Sequence, residues 1–171
     1  MAGLKMIKLP NSKREPVKGA RLVGDVDANE IIDVTVRVRR GKGKALLPET
    51  LAALGATPHA ERKHMTREEF AAAHGADHSD IEKVVQYASE HGLTAHDPSI
   101  ARRSVHLSGT AQAMTEAFGV DLKHYQVDNT LTYRGNADHV HVPEEISDVV
   151  EAIVGFDNRP CLLYTSDAAD E

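Results

Sequence analysis

A chain of 171 residues, 41% hydrophobic and 27% charged, fits one globular domain large enough to bury a core. Its net charge of −6 argues against nucleic acid as the main partner, and it has no apolar run long enough to span a bilayer. The lone cysteine, Cys161, excludes an internal disulfide and a cysteine-built metal cluster; with aromatics at 4% and no Trp, the core must rest on Val, Ile, Leu and Ala.

Residues 1–28 mix Pro10, Pro16, Gly19 and Gly24 with charges and show no sustained period, so they read as a flexible arm. The opening MAGLKMIKLPNSKREPVKGAR also lacks the continuous apolar stretch of a secretory signal. From Glu30 the pattern changes. Ile32, Val34, Val36 and Val38 alternate with Asp33, Thr35, Arg37 and Arg39, the period of a half-buried strand, and Arg40–Lys44 breaks it as a turn. Thr66 with Glu69 forms a capping box that opens the helix REEFAAAH, closed by Gly75. Ser79 starts a second helix with Ile81, Val84, Val85 and Ala88 on one stripe. A strand over 103–108 puts Val105 and Leu107 inward, and Thr110 caps the helix AQAMTEAF before Gly119.

Residues 120–127 and 131–134 read as two strands joined at Asp128–Asn129, and 139–142 as another running into Pro143. The stretch EEISDVVEAIV then predicts a helix over 144–154, with Ile146, Val149, Val150 and Ile153 inward. Phe118 and Phe156, each beside a glycine at a helix end, are expected in the core. Hairpin-joined strands mixed with helices favour an α+β fold, an antiparallel sheet with helices packed on one face.

Chemistry-bearing motifs are sparse. No Ser, His and Asp are spaced as a triad, and no Gly-rich phosphate loop occurs. His139 and His141 alternate on one predicted strand, but two ligands are too few for zinc, so surface histidines are the better reading. Glu144 and Glu145 complement a helix dipole rather than form an acid–base pair. Arg37, Arg39, Arg40, Lys42 and Lys44 invite an RNA-binding module as an alternative; the strand beside them lacks the aromatic platforms such binding uses.

Three segments together carry a resemblance: FAAAHGADHSDIEKVVQYASEHGLT (70–94), VHLSGTAQAMTEAFGVDLKHYQ (105–126) and VHVPEEISDVVEAIVGFDNRP (140–160). In order and spacing they resemble the prosegment, or activation domain, of the sedolisin (kumamolisin) family of serine-carboxyl peptidases. The resemblance implies a ferredoxin-like α+β fold similar to subtilisin prosegments, spanning residues 29–157. Residues 158–160 would then begin a linker to a catalytic domain that this chain lacks.

It further implies an intramolecular chaperone and autoinhibitor of a secreted endopeptidase, removed on acid activation. The partner is a sedolisin-type catalytic domain in cis. That domain would hold the Ser of a Gly-Thr-Ser motif, its Glu and Asp partners and a calcium ion; Gly109-Thr110 is followed by Ala111, so no catalytic, cofactor or metal position carries over here. Strands at 103–108, 121–127 and 131–134 would supply a docking face, with Arg103, His106, His124, Tyr125 and Tyr133 as candidate contacts. Asp157, Asn158, Arg159 and Pro160 would lead toward the active-site cleft. The ten histidines read either as solvated helix-end and loop residues, the plainer reading for any single one, or as a pH sensor: if docking holds them neutral, binding is present above their free pKa and lost as pH falls. A free-standing peptidase inhibitor of the same fold is the alternative. Residues 161–171, CLLYTSDAADE, resemble a translated sequencing adapter, so Cys161 is expected to be non-native and the protein to continue past Pro160.

Overall fold

The computed structural model describes residues 5–44, 47–127, 131–136 and 138–160. In chain order these form β1 (Met6–Lys8), β2 (Arg21–Asp25), β3 (Ile31–Val38), α1 (Pro48–Ala56), a 3-10 turn (His59–Glu61), α2 (Arg67–His74), α3 (His78–Glu90), β4 (Thr94–Ser99), β5 (Ser104–Thr110), α4 (Ala111–Phe118), β6 (Leu122–Val127), β7 (Leu131–Asn136), β8 (His141–Pro143), α5 (Glu144–Ser147) and β9 (Val150–Val154).

The alternation at 31–38 does what its period requires. Ile32, Val34, Val36 and Val38 are buried, while Ile31, Asp33 and Arg37 are exposed. This strand lies inside a four-stranded antiparallel sheet of order β4-β5-β3-β9, with Val36 opposite Val105 on one side and Ile153 on the other. Helices α3 and α4 cover its apolar face, contributing Ile81, Val84, Tyr87, Ala88, Met114 and Phe118 to one core with the strand valines. The path β3–α3–β4, β5–α4–β9 with that strand order is the split βαβ, ferredoxin-like arrangement. The α+β class, the antiparallel pairing and the helices on one face of this sheet are all present.

Local signals explain the helix ends. Thr66 accepts from the Glu69 amide while Glu69 accepts from Thr66, closing the capping box, and Thr110 accepts from the Ala113 amide. Gly119 ends α4 in the left-handed region at φ 56°. Helix α3 begins at His78 after Asp77, just ahead of Ser79.

Four readings are corrected. The helix predicted over 144–154 is one short turn, α5, followed by the strand β9. Val149, Val150, Ile153 and Val154 are β-branched, and β3 offers a bare edge on that side, so the tail of the stretch pairs rather than coils. A register shift at Arg37/Val38 lets Val150 and Ile153 both reach the core, which is why a helical stripe fitted them. Phe156 accordingly follows a strand, not a helix, and packs 5.9 Å from Phe118 in the core.

The supposed arm is partly structured. Strand β1 pairs with β8, β2 pairs with β6, and Leu9 is buried. Three residues of strand are too few to show a period, which hid β1. Nor is there a single sheet: β6 and β7 join β2 in a separate three-stranded sheet, inserted with β8 and α5 between α4 and β9. Finally, β4 and α1 are elements that the sequence reading did not include; β4 carries Asp97 and Pro98 and shifts register between His96 and Ser99. The Asp128–Asn129 turn and residues 161–171 with Cys161 lie outside the described residues.

Candidate functional site

With α3 and α4 on one face of the four-stranded sheet, its other face is left open. Odd-numbered residues of β3 point there, joined by Ser104 and His106 of β5 and by Ala152 and Val154 of β9, which register opposite Arg37 and Thr35. Phe70 of α2 and the turn residues Ala101 and Arg102 raise one side, giving a shallow concavity of about 680 Å³. His106 Nδ1 lies 3.0 Å from Thr35 Oγ1, and His96 stands directly across from His106 on β4. Val154 at the rim is 58% exposed, and Ile31, on the same face, is 62% exposed.

The electrostatics are local and basic. Arg37 and Arg102 are exposed, and Arg40 donates to the His74 carbonyl at 2.8 Å. Burial, then the nearby Arg103 guanidinium, lowers the pKa of Arg40 from its ordinary value, with Glu151 opposing. A chain of net charge −6 thus gathers cationic groups on one sheet face.

The five predicted contact residues divide between two places. His106 lies on the open face. Arg103 is a buried anchor instead: at φ 53° it turns the chain between β4 and β5, and its Nη1 donates to the Val38 carbonyl and to Glu151, both at 3.0 Å. His124, Tyr125 and Tyr133 belong to the other sheet. The two tyrosine rings stack at 5.5 Å and are buried, while His124 Nε2 lies 3.8 Å from Glu30. Register alone could not separate these groups, because the sequence does not show where one sheet stops and the next begins. Phe70, Arg102 and Val154 were not singled out, Val154 because it fell in a predicted helix.

The four residues expected to lead out of the domain are held more firmly than a free tether. The Asn158 amide donates to the Arg134 carbonyl at 3.0 Å and its side chain accepts from the Arg134 amide at 2.6 Å, so Asn158 sits alongside β7. Buried Arg134 donates to the carbonyls of Gly155 (3.1 Å) and Phe156 (3.2 Å) and pairs with Glu30. Arg159 pairs with Asp157, whose carboxylate raises the guanidinium pKa, and lies 5.1 Å over the Tyr133 ring. The segment therefore stays on the domain through Arg159, and Pro160 is exposed beyond it.

Among the described residues no group of three His, Cys, Asp or Glu could hold a metal ion. His139 lies 3.5 Å from Ser12, whereas His141 packs on Gly119 with its Nδ1 buried and unpartnered, so the two do not form one surface pair. No helix among the described residues is long and apolar enough to cross a membrane.

Against known proteins, residues 18–159 match the family model described as the pro-kumamolisin activation domain. The chain belongs to that family. It is 38% identical over 137 residues to kumamolisin from Bacillus sp. (strain MN-32), an alignment that covers 80% of this chain and 24% of that protein. This activation domain thus spans about a quarter of the length of its relative. The match takes in β2 through the Arg134-held exit segment and leaves β1 outside it.

Proposed function

We propose that this domain is the non-catalytic prosegment of a secreted kumamolisin-type serine peptidase, assisting the folding of the attached catalytic domain and blocking it until acid activation. The observation that carries the reading is the open face of the four-stranded sheet, in a domain whose family is the activation domain of such peptidases. A sheet with one face uncovered leaves an extended, shape-defined surface for another domain. Here that surface is concave, centred on Thr35 and His106, basic at Arg37 and Arg102, and apolar at Val154.

Docking there fixes where the chain leaves. Arg134, Asn158 and the Asp157–Arg159 pair hold residues 155–159 to the domain, so the path toward the peptidase cleft begins at Pro160. Fixing the exit shortens the effective tether and raises the local concentration of the inhibitory segment, so modest affinity suffices while the chain is intact. Folding assistance has a related cause: a preformed surface lets non-local contacts of a slow-folding domain assemble on a template. Any calcium and all catalytic residues belong to the peptidase portion on this reading, and the protein acts outside the cell.

The test has two parts. Adapter-free sequencing of the gene past codon 160 should show an open frame for several hundred codons with a Gly-Thr-Ser motif; an immediate stop would leave a free-standing inhibitor. The purified chain, added to the mature peptidase at neutral pH, should inhibit it, and Val154→Glu should weaken inhibition about tenfold or more, as burying an unpaired carboxylate in a contact does. Equal inhibition by Val154→Glu and the unsubstituted chain would remove the sheet face as the docking surface.

A further inference from the structure

Helices α1 and α2 are poorly explained by the domain's own core. Neither has a buried residue. Along α1, Leu47, Leu51 and Leu54 recur at the spacing of one helical stripe and are 45–51% exposed. Opposite them Met65 and Phe70 are exposed at 57% and 41%. The two walls enclose a groove of about 1070 Å³, larger than the concavity on the sheet. Contiguous exposed apolar surface of this kind marks an interaction site. A nine-residue helix is also too short to be stable on propensity alone. Its C-terminal end is tied down locally, since Arg62 donates to the carbonyls of Thr57 (2.8 Å) and Gly55 (3.1 Å).

Two observations say what covers the groove. The first is continuity: Phe70, Ala101 and Arg102 line both the groove and the sheet concavity, so a body lying on the sheet reaches the groove mouth without a gap. The second is charge. Arg62, Lys63, Arg67 and Arg102 stand around the groove against a single carboxylate, Glu61, in a chain whose total is −6. The complement is an apolar ridge flanked by acidic residues.

We infer that the α1–α2 groove is a second docking site for the same catalytic domain, receiving an apolar, acid-flanked surface segment of it, so that the interface runs from Val154 across Phe70 to Leu51. This rests on the prosegment reading above and adds to it a second contact. The peptidase would cover α1, which then gains from the partner the burial it lacks in the domain alone.

The test compares inhibition constants for the purified chain and its variants against the mature peptidase of its own precursor, at two salt concentrations. Leu51→Asp and Leu54→Asp are each expected to weaken inhibition about tenfold or more. Their melting temperature should stay unchanged, because neither side chain is buried. Lys63→Glu and Arg67→Glu should weaken it less and flatten its salt dependence. If both leucine variants inhibit like the parent chain while Val154→Glu does not, the groove inference is overturned and the sheet reading stands. If the parent chain fails to inhibit at all, both fall together. Size-exclusion chromatography covers the remaining occupant: a dimer of the free chain that Leu51→Asp splits would assign the groove to a second copy and overturn the inference.

Discussion

Tyr87 shows how one residue ties the helical layer together. It comes from α3, is buried, and its hydroxyl donates to the Ala117 carbonyl near the end of α4 at 2.6 Å. Its ring lies 6.0 Å from Phe118 and 4.0 Å from His91. Burial, with a smaller contribution from Glu145, pushes its phenol up to about 12. An unfolded tyrosine titrates near pH 10, so the folded state holds the proton more tightly. Its contribution to stability is complete below about pH 10 and is lost as pH rises toward 12, at up to ~1.4 kcal/mol per pH unit. Tyr125, raised mainly by burial, adds a slope of the same sign. The comparison that isolates Tyr87 is therefore Tyr87→Phe against the parent chain. That variant should lose about 1 kcal/mol at pH 8 for the missing hydrogen bond and fall less steeply above pH 10. Denaturant melts at half-unit pH steps decide it, and parallel slopes would show that Tyr87 is not the group held neutral.

At the scale of elements, legibility followed how many independent cues agreed. Strand β3 had a clean alternation and α4 a cap, an apolar stripe and a glycine stop, so both were read correctly. The 144–154 stretch had a proline start and acidic first-turn residues that govern only the four residues of α5, and a stripe that the strand β9 imitates through its register shift. What they could not reveal was the free edge of β3 waiting for Val150–Val154, a fact of tertiary assembly. In the same way, the open face was legible as "one side of a sheet" while its membership was not: His106 lies on it, whereas Arg103, Tyr125 and Tyr133 are buried elsewhere. Capping offers a direct test of how much each helix matters to the whole. Helix α4 is packed into the core, with Ala111, Met114, Ala117 and Phe118 buried, whereas α2 buries nothing. Thr110→Ala should therefore cost about 1 kcal/mol of global stability. Thr66→Ala should leave global stability nearly unchanged and raise only local hydrogen exchange across α2, since a helix outside the cooperative core opens on its own. Equal global losses from the two would mean that α2 is part of the core after all.

The whole molecule is a ferredoxin-like unit carrying an insertion, and the N-terminal segment secures that insertion. Strand β1 pairs Ile7 with Val142, and the Leu9 amide donates to the Val140 carbonyl at 2.9 Å. Ser12 Oγ then accepts from the Val140 amide at 2.9 Å, the Lys5 carbonyl accepts from the Glu144 amide, and the Val17 amide donates to the Tyr133 hydroxyl at 3.0 Å. The family match begins at residue 18 and leaves this clasp outside it. Cutting the chain to begin at Lys18 separates the two. The sheet β4-β5-β3-β9 and its helices lose no strand, so the shortened domain should still fold cooperatively. It exposes Val140 and Val142 and forfeits the buried Leu9 side chain, which alone is worth roughly 1.5–3 kcal/mol. The freed backbone groups of Val140 add about 1 kcal/mol each if water does not reach them. A loss of about 3 kcal/mol or more in denaturant unfolding, with the cooperativity of the transition kept, is the expected outcome. An unchanged midpoint would return residues 1–17 to the flexible arm that their sequence alone suggested.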